Sequence, residues 1–85
     1  MTVQDLVDRG YNEEDLTTFL NPSYDGCIIG VSTDDILIYS LSQMVEWYMK
    51  ENNCSFDVAL EFIDYNTIRS LPYGGENAPI ILNDL

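Results

Sequence analysis

Asp57, Glu61 and Asp64 stand at i, i+4 and i+7, so on a helix their carboxylates share one face. A rise of about 1.5 Å per residue sets carboxylates four positions apart roughly 6 Å from one another along the axis, comparable to successive phosphates on a nucleic-acid strand. Such a row suits two jobs: holding the cations of a partner, or imitating a phosphate backbone. Like charges at these spacings cost a helix about 0.2–0.5 kcal/mol per pair. A solvated acidic edge tolerates that cost too, and for the row taken alone it is the plainer reading.

The other chemistry-bearing residues assemble into less. Asp34 and Asp35, with Asp25 nearby, are oxygen ligands of the kind Mg²⁺ and Ca²⁺ take, but no DxDxDG loop with a distant Glu surrounds them. They read as turn residues that bond their own backbone. Glu13, Glu14 and Asp15 complement the positive end of a helix. The chain has no histidine, which excludes histidine-dependent triads and the commonest general base and metal ligand. Cys54 precedes a predicted helix, yet Glu51 and Asp57 flank it where a nucleophilic thiolate needs a cation, so it is assigned to packing. The glycines of "YGGENAP" fit neither GxxxxGK[ST] nor GxGxxG and read as a sharp turn at Gly74 and Gly75. No catalytic residue, cofactor site or metal ligand is assigned, and the chain is expected not to be an enzyme.

Trp47 and Tyr73 are amphipathic aromatics of the type that anchor interfaces. With Asp57, Glu61 and Asp64 they form the candidate interaction surface. Asn66 and Arg69 are expected to form a buried structural network that clamps the C-terminal turn, through Asp64 or a backbone carbonyl.

Fifteen acidic residues face only Arg9, Lys50 and Arg69, for a net charge of -12 over 85 residues. That surface repels phosphates and anionic lipid headgroups, so neither nucleic acid nor membrane is expected as a direct partner. A protein with a basic surface is. High net charge is half the signature of disorder, but 46% hydrophobic and 12% aromatic content supplies enough apolar surface for one core. Cys27 and Cys54 form no CxxC, and their spacing neither requires nor forbids a disulfide. The start "MTVQDLVDRG" lacks a basic stretch before an apolar run, and no segment nears the roughly 18 apolar residues of a membrane span. A cytoplasmic location with reduced thiols is expected.

Local signals predict a single α+β domain. Thr2 and Asp5 open a helix over 3–9, Gly10 ends it, and Asn12 caps a second helix over 13–20 that stops by Asn21. Residues 1–23 are thus a helical N-terminal extension that can pack separately. "CIIGVSTDDILIYS" is the pattern of a hairpin with strands at 27–31 and 36–39. Ser40 and Gln43 open a helix over 41–51 whose Leu41, Met44, Val45, Tyr48 and Met49 form one stripe. Ser55 caps a helix over 56–68, with Phe56, Ala59, Leu60, Ile63 and Thr67 on its inner face and Val58, Phe62 and Tyr65 widening that face past half the circumference. Residues 79–82 suit a third strand beside the hairpin, and the free strand edges also suit a homodimer.

"DGCIIGVSTDDILIYS", "MVEWYMKENN" and above all "EFIDYNTIRSLPY" and "APII" resemble a group of small uncharacterised proteins from Gram-positive bacteria and their phages. The likeness spans roughly residues 24–82. It implies a bacterial or prophage origin and carries no activity with it. The expected function is a non-enzymatic protein-interaction module. The alternatives are a phage-type DNA mimic that blocks a basic site on a host enzyme, and an enzyme built on a carboxylate-bound metal.

Overall fold

A computed structural model describes residues 1–19, 22–73, 75 and 77–85, with the Tyr73 side chain set aside. Helix α1 covers Val3–Asp8. Thr2 and Asp5 close a reciprocal capping box, the Asp5 backbone N–H donating to the Thr2 hydroxyl at 3.2 Å and the Thr2 N–H to Asp5 Oδ2 at 2.9 Å. The far end is a Schellman turn: Gly10 has φ +101°, its N–H reaches the Val7 carbonyl at 3.0 Å, and the Tyr11 N–H reaches Leu6 at 3.1 Å.

The predicted helix over 13–20 is instead a single 3₁₀ turn, Glu13–Asp15, capped by Asn12. Leu16 is already extended, at φ -102° and ψ 121°. Burial overrides propensity here, because Leu16 is buried and Phe19 lies over the Tyr39 ring at a centroid distance of 4.7 Å, with Tyr24 edge-on at 6.1 Å. The β-branched pair Thr17–Thr18 suits extended backbone. The predicted stop at Asn21 lies outside the described residues.

Strands β1 (Ile28–Val31) and β2 (Leu37–Ser40) form the predicted hairpin, each one residue off its expected start. Ser32 organises the turn: its N–H donates to the Ile36 carbonyl at 2.8 Å and its hydroxyl accepts from Asp34 and Ile36 N–H. Asp35 takes the left-handed conformation, φ 62°. The register slips between Ile28 and Gly30, a bulge at Ile29. Strand β3 (Ile80–Leu82) pairs parallel to β2, so the order is β1-β2-β3 and β1 and β3 are the edges. The predicted Gly74–Gly75 turn lies partly outside the described residues; Gly75 has φ +84°.

Helix α2 (Leu41–Asn52) follows β2 without a loop, and Asn53 ends it in the left-handed region. Helix α3 (Phe56–Asn66) opens on Ser55, whose hydroxyl accepts from the Val58 N–H at 3.3 Å. It stops two residues short of its predicted end and continues as a 3₁₀ segment, Ile68–Tyr73, which accommodates Pro72. Leu41, Met44 and Val45 of α2 and Ala59 and Ile63 of α3 join Ile28, Leu37 and Tyr39 in one core, which also holds Leu6 and Leu16. The broad apolar face predicted for α3 is narrower than expected. Phe56, Val58 and Tyr65 are exposed, because α3 has α2 and the core on one side only, and a helix that neighbours cover on one side buries one stripe.

Tyr24 carries two local costs. It is left-handed (φ 50°), and its buried hydroxyl finds no hydrogen-bond partner among the described residues. Burial pushes its phenol pKa up. Removing the hydroxyl removes an unsatisfied polar group, so Tyr24→Phe is expected to be neutral or to stabilise by up to about 1 kcal/mol. Urea denaturation checks this, and a loss of stability would show that the hydroxyl has a partner.

Candidate functional site

Helix α3 brings the acidic row to the edge of a groove of about 470 Å³. Asp57, Glu61 and Asp64 are among its lining residues. The apolar lining is Leu41 from the start of α2, Leu60 from α3, Ile68 from the 3₁₀ segment and Leu85, with Asn83 beside them. Leu60 and Ile68 are half-buried against the core, and Leu85 is exposed. The combination sets aliphatic surface directly against carboxylates, which suits a ligand that is apolar on one flank and cationic on the other.

Residues 83–85 are held in place by Asp84. Its carboxylate caps α2 from outside, Oδ2 accepting from the Ser40 hydroxyl at 2.5 Å and Oδ1 from the Ser42 N–H at 2.8 Å. Those hydrogen bonds, Ser40's first and Ser42's second, hold the Asp84 pKa below its ordinary value. Ser40, wholly buried, also accepts from the Gln43 N–H at 3.2 Å and lies 3.1 Å from the Ser42 hydroxyl. Asp25 does the same service for α1, its Oδ1 accepting from the Val3 N–H at 2.8 Å. Several of the chain's carboxylates are therefore structural.

The predicted site residues divide. Asp57, Glu61 and Asp64 come together as expected, on the groove. Trp47 is not among the lining residues; its ring stands edge-on to Tyr24 at 5.4 Å. The Tyr73 side chain lies outside what the structure describes. Asn66 and Arg69 are exposed rather than buried. Asn66 Nδ2 donates to the Phe62 carbonyl at 3.0 Å, and Arg69 sits 3.6 Å from Asp64 and 5.5 Å from the centre of the Tyr65 ring. They lie past the stripe that α3 buries, so their contacts are local and wet.

No protein-family model, curated protein or solved structure matches this chain. Among the described residues no three His, Cys, Asp or Glu side chains are placed to hold a metal ion, and no helix is long and apolar enough to cross a membrane. Cys27 and Cys54 are both free thiols, and burial pushes the Cys27 pKa up.

The sequence reading missed Asp84, Asn83, Leu85 and Leu41. Asp84 carries no local signal, since the hydroxyl it accepts from is 44 positions away. The period of α2 marks Leu41 only as core, and the structure does bury it there.

Proposed function

We propose that this chain is a non-enzymatic interaction module, of bacterial or prophage origin, that docks a basic protein on the acidic groove of α3. The observation that carries the reading is the contact between the two chemistries: Asp57 and Glu61 stand exposed beside Leu60, Ile68 and Leu85. A DNA mimic needs carboxylates spread over a face and has no use for an aliphatic seat among them. A docking module needs both, the charges for encounter and register and the apolar seat for residence. The net charge of -12 adds long-range attraction for cationic partners.

Affinity capture with wild type and with the Asp57→Asn/Glu61→Gln double variant, followed by a salt titration of each captured partner, tests the reading. The expected partner binds wild type about tenfold tighter than the variant, and loses only about tenfold between roughly 0.1 and 0.5 M salt because its apolar contacts are not screened. A loss of about a thousandfold over that range would identify a phosphate mimic instead. Binding indifferent to the double variant would place the interface elsewhere. A calorimetric signal with Mg²⁺, Mn²⁺ or Ca²⁺ that the double variant abolishes would replace the module with a metal site.

A further inference from the structure

We infer that residues 79–85 are an exchangeable arm, and that two copies of this chain dimerise by laying each arm on the other copy's β2. The arm is held by a short set of contacts. Pro79 is buried and Ile81 is half-buried against the core, while Ile80 and Leu82 are exposed. In the sheet β3 pairs with β2 alone, Ile38 with Ile80, Tyr39 with Ile81 and Ser40 with Leu82. Asp84 then ties the arm to Ser40 and Ser42. A segment held this way opens at less cost than the whole fold.

The seat that an open arm leaves says what refills it. It is the edge of β2 and, at its end, the buried Ser40 hydroxyl and the Ser42 N–H, two donors that take a carboxylate. A basic segment brings no carboxylate to them. The matching occupant is an extended segment with an inward apolar residue three positions before an acid, as Ile81 stands before Asp84, and a second copy carries that segment. These contacts recur unchanged in the exchanged dimer, so no new surface is needed. What differs is the connection. Gly75 takes φ +84°, and its carbonyl accepts from the Ala78 N–H at 3.4 Å, in the turn that returns the arm to its own chain. Two chains of net charge -12 also repel, which opposes the dimer at low salt. Asn83 and Leu85 travel with the arm, so in the dimer each groove on α3 is completed by the other copy.

Cross-linking between copies tests this. Chains carrying Ile38→Cys are mixed with chains carrying Ile80→Cys, oxidised mildly and run on a non-reducing gel. These positions are partners across β2 and β3, so they bond between chains where one arm lies on the other copy's β2. Each variant alone sets the background from Cys27 and Cys54. A short tether holds the arm at an effective concentration on the order of 1 mM, so the cross-link is expected as the chain approaches that concentration. Gly75→Ala gives a second measurement, because its added Cβ meets nothing within 4 Å and its cost is left-handed strain, which the open turn relieves. It is expected to favour exchange roughly tenfold per chain, and so to tighten the dimer about a hundredfold. Raising salt from roughly 0.05 to 0.5 M should tighten it about tenfold, opposite in sign to the docking of a basic partner. Asp84→Asn alters the same contact in both states, so it should speed cross-linking about tenfold and leave the dimer fraction by light scattering unchanged. No cross-link above background, with or without Gly75→Ala, overturns the inference. So does a dimer by light scattering that does not cross-link, since the copies then meet through another surface. No basic partner enters the experiment, so either failure leaves the docking reading standing.

Discussion

Replacing Tyr39 with alanine is expected to destabilise the fold by about 3–5 kcal/mol, the usual toll of deleting a fully buried aromatic ring. A chain of 85 residues holds only about 4–13 kcal/mol in all, so the variant gives up a large share of the total. Tyr39 has no exposed surface and sits on the central strand, paired with Ile28 on one side and Ile81 on the other. Its ring also carries Phe19, which draws the segment after Leu16 onto the domain. An alanine there opens a cavity and frees that segment. The hydroxyl matters far less, because the Phe19 N–H reaches it only at 3.5 Å, so Tyr39→Phe should cost under about 1 kcal/mol. Denaturant midpoints for the two variants give the contrast directly. An alanine variant within about 1 kcal/mol of wild type would mean that Tyr39 is not at the centre of the core.

What the sequence made legible, it did through short-range chemistry. Thr2 with Asp5, Ser40 with Gln43, and Ser55 each put a hydroxyl where the first free N–H groups of a helix need one, and all three do so in the structure. Ser32 to Asp35 turn the hairpin because serine and aspartate bond locally and tolerate the left-handed region. The failures share the opposite property. Residues 13–20 have helical caps and acids, but Leu16 is buried with its backbone already extended, and Phe19 packs its ring against Tyr24 and against Tyr39, which lies 20 positions along the chain. The parallel direction of β3 also left no mark on three apolar residues. At the site, the acidic row was legible from period alone, while its apolar neighbour was not. Leu41, Ile68 and Leu85 meet only after α2, the 3₁₀ segment and residues 83–85 have been brought to one place.

Ser40→Ala tests what brings them there, and a cost of about 1–3 kcal/mol is expected, above that of an ordinary helix cap. Ser40 ends β2, caps α2 and donates to Asp84, so its loss frees the Gln43 N–H and removes one of the two hydrogen bonds that fix residues 83–85. Hydrogen exchange should show reduced protection at Ile81 and Leu82, and the groove should lose the wall that Asn83 and Leu85 provide. The pH dependence isolates the carboxylate. The Asp84 pKa lies below its ordinary 3.8 in the fold, so its contribution is present above pH 3.8 and fades as pH falls through the lower folded value. The stability difference between wild type and Asp84→Asn should therefore be constant near neutrality and shrink on acidification below pH 3.8. Comparing the two proteins at each pH cancels the relief of repulsion among the other acidic residues, which both share. A difference that stays flat into strong acid, or unchanged exchange at Leu82 in Ser40→Ala, would mean that Asp84 does not tie the C-terminal residues to α2, and the groove would then have to keep its shape without that tie.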